Sequence, residues 1–489
     1  MTVPPQLTAS RRTLILAICC LSLFMVGMDT TIVNIALPTI GADLHAGISG
    51  LQWTIDAYAL VLGSLLMLSG SMADRLGRRR VFLAGLVLFA GASLLCSLAP
   101  DIGWLVVFRA IQGVGGSMLN PVALSIVSNV FTDDQERARA VGIWAGVFGL
   151  SMALGPLVGG LLIGASLGWR SLFWINLPIA LAALLLTFRL IPESKAAHAR
   201  RVDPVGQALV IGMLTSLTYA IIEGPDVGWT SPTILACVAL AAVALAGLLV
   251  YEPRREEPLL ELRFFASVPF SGASAVALIA FAAVGGFALI TTLYLQEVRG
   301  YSALQAGLLF VPVAGAAMVS GPLSGRLVAN RGPRLSLLAA GGALTLCAVM
   351  LTGLSDTTSI GWLIGAYVVF GLGFGMVSAP VNNTALSGMP RAQSGVAAAI
   401  VSTGRQVGQT LGVAVAGSLL ASSLHGSLRA GLATASHGAW WVMAGAGGVV
   451  AGLALITTST WARRTAAAAG GEVALDRRDL LRRAGKSTS

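Results

Sequence analysis

Long, unbroken apolar segments separated by short charged loops are the feature that most constrains this chain. Charged residues make up only 11% of its 489 residues, whereas 56% are hydrophobic. Between the charge clusters, the apolar segments reach about 18 residues or more, the length that crosses a bilayer as an α-helix. They are continuously apolar and do not alternate with a period of two, which excludes an outer-membrane β-barrel. The sequence therefore predicts an all-α polytopic membrane protein.

We predict fourteen membrane spans, with both termini on the same side of the membrane. The spans cover residues 13–37, 50–70, 80–99, 102–130, 140–164, 172–191, 205–224, 232–250, 268–292, 304–325, 335–354, 360–382, 396–421 and 437–461. Loops on the side of the termini hold most of the arginines, among them Arg11, Arg12 and residues 78–80. Because such loops stay in the cytoplasm, we expect both termini to be cytoplasmic and the protein to lie in the cytoplasmic membrane.

The formal net charge of +10 follows from this topology. It predicts contact with anionic membrane lipids and does not indicate a nucleic-acid partner. The sequence contains no G-x-x-x-x-G-K-[ST] run, so direct use of ATP is not expected. We also expect no enzymatic activity, no metal site and no cofactor, with a proton gradient as the source of energy.

Two similar loop segments indicate an internal duplication. Gly70–Arg80 reads GSMADRLGRRR and Gly321–Leu327 reads GPLSGRL, and each follows an even-numbered span. Six predicted spans precede Pro192 and six follow Phe264, as in transporters built from repeats. We therefore divide the chain into an N-terminal six-helix half (1–191), an inserted helix pair with cytoplasmic linkers (192–264), a C-terminal six-helix half (265–462) and a basic tail predicted to be disordered (463–489).

Three acids lie within predicted spans, namely Asp29, Asp56 and Glu223. A charge at the centre of a bilayer costs on the order of 3 kcal/mol, so these residues are functional candidates. Helical rise places Asp29 and Asp56 at similar heights, with Arg109 within a turn or two of them. We predict one buried proton-coupling cluster in the N-terminal half, with Asp29 as its principal carrier. The alternative for Asp56 is an ion pair with Arg109, and Glu223 fits a solvated position equally well.

The fifth predicted span carries a helix face that is almost bare of side chains. Between positions 142 and 160, small residues recur at steps of three or four, which allows another helix to approach closely. Gly155-Pro156 interrupts the hydrogen-bond ladder and indicates a bend. We predict a hinge at Gly146, Gly155, Pro156, Gly159 and Gly160, at a seam between moving parts. The alternative is simple helix packing.

Four motifs resemble those of the major facilitator superfamily. Residues 70–80 resemble its loop signature, residues 109–116 its fourth-helix motif, and residues 142–160 the "antiporter motif" of its drug exporters. Residues 29–38 resemble the first-helix motif of its fourteen-span drug/proton antiporters. The resemblance implies the major facilitator fold, a six-plus-six helix pseudo-repeat with two inserted helices, and export in exchange for protons.

The first loop motif also implies a cytoplasmic gate at Gly70, Asp74, Arg75, Gly77 and Arg78. Asp74 can pair with neighbouring arginines or helix ends and hold that side of the protein in one conformation. The second loop departs from the pattern because Gly325 stands where the aspartate is expected. We therefore expect the second copy to lack this charge relay.

Large soft side chains and a polar patch in the thirteenth span are the substrate-binding candidates, because methionine and aromatic surfaces adapt to varied amphipathic ligands. They are Met25, Trp53, Gln112, Trp144, Phe148, Met152, Phe287, Tyr294, Met376, Arg405, Gln406 and Gln409. Each could instead face lipid or the core, and the polar patch could be an interhelical hydrogen-bond network.

These features together predict a monomeric proton antiporter that exports drugs or other cationic or amphipathic small molecules by alternating access. A narrower alternative is a dedicated exporter of a single metabolite or antibiotic, which confers self-resistance. A proton-coupled uptake symporter of the same fold is disfavoured by the motif at 142–160. A membrane scaffold or sensor without transport is disfavoured by the three embedded acids, since a scaffold needs no buried charge.

Overall fold

The computed structural model describes residues 8–196, 203–255, 258–259, 261–387, 394–424, 428–462 and 464–466, and these ranges are helical with no β-strand. The helices that precede residue 197 are α1 (Ala9–Leu44), α2 (Ile48–Leu76), α3 (Arg78–Ser97), α4 (Ile102–Val130), α5 (Asp134–Leu162), α6 (Ser171–Trp174) and α7 (Asn176–Leu190). Two helices follow in the middle of the chain, α8 (Pro204–Val227) and α9 (Pro232–Tyr251). The remaining helices are α10 (Val268–Leu293), α11 (Ala303–Arg331), α12 (Pro333–Leu351), α13 (Ile360–Gly375), α14 (Ser378–Ala385), α15 (Ser394–Ser423) and α16 (Leu428–Thr457).

Twelve helical segments in the described ranges are long and apolar enough to cross a membrane. Ser171–Leu190, which joins α6 and α7, is one of these segments, and Ile360–Ala385, which joins α13 and α14, is another. The prediction of an all-α membrane protein is therefore confirmed, whereas the count of fourteen spans exceeds the twelve found. The helices α5 and α15 are not among the twelve; the apolar segment found in α5 among the described residues, Leu150–Ala165, is shorter than a span, and α15 contains Arg405 and two glutamines.

Side-chain caps fix where several of the helices begin. Asp101 Oδ1 accepts from the backbone N–H of Trp104 at the start of α4, at 3.0 Å. Ser302 and Gln305 form a reciprocal capping box at the start of α11. These side chains satisfy backbone donors that have no partner within the helix. Short polar residues between apolar runs therefore mark the turns of the chain.

The two ends of the bundle differ in charge. Arginines concentrate at the end where α1, α3 and α5 begin, which we call the arginine-rich end. There, Arg12 pairs with Glu136 at the start of α5, and Arg11 Nε donates to the carbonyl of Leu190 at the end of α7. Thr465 accepts from the backbone of Val268 at the start of α10, so the segment after α16 lies at this end as well.

Helices before and after the α8–α9 pair repeat one packing pattern. In the first group α1 packs on α5 and α2 on α4; in the second, α10 packs on α15 and α11 on α13. The two groups meet along two seams, α5 with α11 and α2 with α15. Helix α8 packs against both α2 and α15, so the middle pair lies over the second seam.

The α5–α11 seam is packed toward the end opposite the arginine-rich end. The carbonyl of Ala303 lies 2.6 Å from where a Cβ on Gly160 would be, and Gly307 lies against the carbonyl of Pro156. Nearer the arginine-rich end, a Cβ at position 142 or 146 of α5 or position 315 of α11 would have no neighbour within 4 Å among the described residues. The α5–α11 seam is therefore closed at one end and open at the other.

Candidate functional site

The centre of the N-terminal helix group is a buried ion pair. Arg109 Nη1 on α4 lies 2.6 Å from Asp29 Oδ2 on α1, and the two side chains are only 1% and 0% exposed. Arg109 Nε also donates to the carbonyl of Thr54 on α2 at 3.0 Å, and its guanidinium stacks on the ring of Tyr58. A buried pair of this kind tolerates the loss of neither partner, since the other charge would remain uncompensated.

Amide side chains surround the second oxygen of Asp29. Gln112 Nε2 donates to Asp29 Oδ1 at 2.9 Å, and Asn176 Nδ2 donates to the same oxygen at 3.0 Å. Asn176 also donates to Ser93 on α3. The structure thus brings together the predicted residues Asp29, Arg109 and Gln112, and it adds Asn176 and Ser93, which no sequence pattern singles out.

Asp56 is buried without a partner. Its side chain is 0% exposed, and neither carboxyl oxygen has a hydrogen-bond partner in the described part of the chain. On the same face of α2, Gln52 Nε2 donates to the carbonyls of Val413 and Ala414 on α15. Gly63, on this face as well, lies against Gln406. Asp56 therefore lies on the α2 face that meets α15, and it does not form the alternative ion pair with Arg109.

The third embedded acid joins α8 to α2. Trp53 Nε1 donates to Glu223 Oε1 at 2.7 Å, and the ring of Tyr219 lies beside the Trp53 ring. Toward the other end of α8, Gln207 Nε2 donates to the carbonyl of Ser64 at 2.7 Å. Glu223 and the predicted substrate residue Trp53 thus form one hydrogen-bonded contact between the two helices.

The predicted gate residues lie where α2 passes into α3: Gly70, Asp74 and Arg75 belong to α2, Gly77 joins the two helices and Arg78 begins α3. This junction is bonded to the segment after α7. Asp74 Oδ1 accepts from Arg78 Nη2 at 3.0 Å, and the carbonyl of Asp74 accepts from the backbone of Ala196. Gly77 has φ of +119°, a conformation that favours glycine. The carboxylate of Glu193 lies 2.5 Å from where a Cβ on Gly77 would be.

Glu193 contacts this junction between α2 and α3, and sequence reasoning did not identify it. Its Oε1 accepts from the backbone N–H of Arg79 in the first turn of α3, and its Oε2 lies 3.7 Å from Arg80. An acid at a helix N-terminus is stabilising. Arg75 is exposed, and the Cβ of Pro121 lies 4.0 Å from where a Cβ on Gly70 would be.

The small residues of the predicted hinge pack unequally along α5. A Cβ on Gly155 would collide with Thr31 Oγ1 of α1, and one on Gly159 would lie 2.6 Å from Ile35. A Cβ on Gly146 would meet no described atom of another helix within 4 Å. Pro156 lies inside a continuous helix, and Thr31 Oγ1 donates to the carbonyl of Met152 at 3.1 Å.

Several substrate candidates lie within helix packing. Phe287 stacks on Phe370 at 3.9 Å between ring centroids, and Tyr294 is fully buried and donates to the carbonyl of Ser355. Met25 is fully buried in the core of the N-terminal helix group. The backbone carbonyl of Met376, at the break between α13 and α14, accepts from Ser324 and Ser336. These residues do not form one cluster.

Other candidates lie on helices α5 and α15. Trp144 and Met152 are half-buried, and the side chain of Phe148 lies outside the described residues. Gln409 is buried, whereas Arg405 and Gln406 are half-buried. Arg405 Nη2 donates to Asn382 Oδ1 at 2.6 Å.

A sequence profile described as Major Facilitator Superfamily matches residues 19–413. The chain belongs to the major facilitator superfamily. It is 38% identical to the multidrug resistance protein Stp of Mycobacterium tuberculosis over 408 aligned residues. The alignment covers 83% of this chain and 76% of that protein. It is 36% identical to the tetracenomycin C resistance and export protein of Streptomyces glaucescens, over 81% of this chain and 74% of that one. The resemblance found in the sequence is confirmed.

Solved structures support the same fold at lower sequence identity. A bacterial homolog of the human lysosomal transporter Spinster, in an inward-facing and occupied conformation, matches with a TM-score of 0.63 and 17% identity, over 94% of this chain and 98% of that one. The peptide transporter POT in complex with sulfate matches with a TM-score of 0.66 and 16% identity, over 93% and 95% of the two chains. The major facilitator fold is therefore established for this chain.

Proposed function

We propose that this protein is a proton-coupled antiporter that exports drugs or other amphipathic small molecules across the cytoplasmic membrane by alternating access. The observation that carries the proposal is Asp56, a buried carboxyl whose oxygens have no hydrogen-bond partner among the described residues, on the α2 face that meets α15. A carboxylate inside the membrane is costly without a partner. At a seam that opens and closes, such a group can exchange a proton for a substrate group.

Asp29 supplies the second proton site in this proposal. Its two oxygens already accept from Arg109, Gln112 and Asn176, so a proton replaces the ion pair only when Arg109 moves away. We therefore propose that in the present conformation Asp56 gives up its proton toward the arginine-rich end while Asp29 stays paired, and that both acids take up protons from the opposite side after the seams rearrange. Protonation of Asp29 would release Arg109 and couple the two events.

The topology that fits this function has fourteen spans. We propose that α5 and α15 cross the membrane in addition to the twelve apolar segments, with α8 and α9 as the inserted pair and the four-part division at residues 191, 264 and 462. The arginine-rich end is assigned to the cytoplasm by the positive-inside rule. The open side of the α5–α11 seam then faces the cytoplasm, which is an inward-facing state of a monomer.

The energy source in this proposal is the proton gradient alone. One proton that moves inward across about 100 mV releases about 2.3 kcal/mol, and each unit of pH difference adds about 1.4 kcal/mol. Exchange of one proton for a neutral molecule uses both contributions. Two titrating acids, Asp29 and Asp56, allow a cation to be expelled with net movement of charge.

A dedicated exporter of one compound is the second candidate. Relatives at 34% to 37% identity include the methylenomycin A resistance protein of Streptomyces coelicolor and the puromycin resistance protein pur8 of Streptomyces alboniger. Each of these relatives is named for resistance to a single antibiotic, which supports export of one compound as much as export of many. The two functions differ in how many unrelated compounds compete for transport.

Proteoliposomes with an acidic lumen and an internal pH dye test the proposal, with ethidium and tetracenomycin C as probes. We expect probe uptake by inside-out molecules to evoke proton release, and Asp56→Asn to abolish both fluxes. Asp356→Asn, in an exposed loop, is the matched control and should behave as wild type. Proton flux in the same direction as the probe, or normal coupling in Asp56→Asn, would contradict the proposal.

A further inference from the structure

Arg405 is a positively charged residue within α15, and the proposed proton chemistry does not use it. Among the described residues its guanidinium makes one hydrogen bond, to Asn382 on α14, and it lies 5.7 Å from the centre of the Phe281 ring on α10. It forms no ion pair within the described ranges, and its buried Nε has no acceptor there. A guanidinium has five N–H donors, so most of the donors of Arg405 have no acceptor in the part of the chain that the structure describes.

The neighbours of α15 show which way Arg405 faces. Gly404 and Gly408 lie against α10, and Gln406 lies against Gly63 of α2. Val407 packs on the apolar cluster of α8 and α9. Positions 405 and 407 lie about 200° apart around a helix. Arg405 therefore faces away from the α8–α9 pair, into the space between α10 and α2 at the interior of the bundle.

The surroundings of Arg405 combine an aromatic wall with polar groups. Phe374 of α13 packs edge-on against Phe281, with ring centroids 5.4 Å apart. Asn382 is exposed three residues before the end of α14, and Arg405 is half-buried. Since Arg405 does not face the bilayer, this exposure indicates space between the helices that opens toward the arginine-rich end. A few polar groups placed beside aromatic rings are typical of small-molecule sites.

We propose that Arg405, Asn382, Phe281 and Phe374 form a subsite for an aromatic substrate with an anionic oxygen, a carboxylate or an ionised phenol or enol. This inference rests on the proposed export function and names its substrate class. An unpaired guanidinium inside a membrane protein is costly, and an incoming oxyanion relieves that cost through paired N–H···O bonds. The substrate class differs from the cations that the embedded acids alone would suggest.

Export of an anion also changes the coupling. Exchange of one proton for one monoanion moves two charges across the membrane, whereas exchange for a neutral molecule moves one. The energy from the membrane potential is then about 4.6 kcal/mol per 100 mV instead of about 2.3. One proton per cycle therefore suffices for a strongly driven export of an acidic compound.

Three probes with the same ring and chain but different head groups test the subsite, namely pyrenebutanoate, pyrenebutanamide and pyrenebutyl-trimethylammonium. Equilibrium binding is measured with the full-length protein in phosphatidylcholine nanodiscs, so that no anionic lipid competes. We expect the wild-type protein to prefer the carboxylate. Arg405→Gln should weaken carboxylate binding by about tenfold to a hundredfold and leave ammonium binding unchanged. Arg405→Lys should retain part of the preference.

Arg331→Gln, which removes an exposed arginine at the end of α11, is the matched control. If Arg405→Gln does not fold, Arg405→Lys and Asn382→Ala carry the test, and each should weaken the carboxylate selectively. Wild-type protein that binds no probe or does not distinguish head groups overturns the inference, as does equal weakening of all three probes by Arg405→Gln. If the protein distinguishes the head groups but shows no coupled proton flux, the export function is contradicted and the subsite remains supported. If coupled proton flux is seen but binding does not depend on the charge of the head group, the subsite is contradicted and the export function remains supported.

Discussion

Thr31 of α1 supplies the hydrogen bond that Pro156 withholds from α5. A proline removes the bond to the carbonyl four residues earlier, which in α5 is the carbonyl of Met152. Thr31 Oγ1 donates to that carbonyl at 3.1 Å. The break in α5 is therefore compensated by a neighbouring helix, and the bond joins the two helices at the position where α5 can bend.

Replacement of Thr31 by valine keeps the shape of the side chain and removes the hydroxyl. We expect Thr31→Val to lower the free energy of unfolding by about 1 kcal/mol, since a buried carbonyl loses its partner. Thr31→Ser should restore it. Thermal unfolding of both variants in detergent micelles measures the difference, and equal midpoints for wild type and Thr31→Val would contradict the role assigned to the hydroxyl.

Two alanine substitutions on α5 separate packing from movement. Gly155→Ala should prevent normal packing, because its Cβ would collide with Thr31 in a region where backbones are in contact. Gly146→Ala has open space around it and should leave the unfolding midpoint unchanged. If the open side of the seam closes during transport, Gly146→Leu should fold normally and export slowly. Normal export by Gly146→Leu would show that this face stays open throughout the cycle.

The N-terminal cluster shows how far sequence reasoning reaches. Depth along a helix follows from residue counting, so the proximity of Asp29 and Arg109 was predictable, whereas Gln112 was selected as a substrate candidate and its bond to Asp29 was not predicted. Asn176 and Ser93 were not, because an ordinary amide and hydroxyl are selected only by distances across helices. Glu193 was missed for the same reason, since it lies in a linker and contacts α3 through the fold alone. Helical counting also placed Asp56 correctly in height but could not show that Arg109 pairs with Asp29 instead.

The Asp29–Arg109 pair can be tested by a double substitution. Arg109→Gln should destabilise the protein by about 3–5 kcal/mol, because Asp29 is left as an uncompensated buried charge. Asp29→Asn combined with Arg109→Gln should recover most of this stability through neutral hydrogen bonds. Both variants should be inactive in proton-coupled export. Recovery of transport in the double variant would exclude a proton role for Asp29.

The conformation of the junction between α2 and α3 depends on Gly77 and Glu193. Gly77→Ala should lower stability by about 1 kcal/mol or more, since φ of +119° is strained for any side chain and the Cβ would meet Glu193. Glu193→Gln keeps one acceptor for the N–H of Arg79 and should cost less than Glu193→Ala. Proteolysis within residues 192–203 should speed up in the order wild type, Glu193→Gln, Glu193→Ala. Identical cleavage rates would show that Glu193 does not hold the linker.

Glu223 can be assigned to structure or to proton coupling by its amide variant. Its Oε1 accepts from Trp53 Nε1, and an amide oxygen can accept the same bond. Glu223→Gln should therefore keep both stability and transport if the residue joins α8 to α2, whereas Glu223→Ala should lose about 1 kcal/mol. Trp53→Phe combined with Glu223→Ala should cost less than the sum of the two single changes, because they remove the same bond. A stable Glu223→Gln variant without proton-coupled export would instead assign Glu223 to the proton pathway with Asp56.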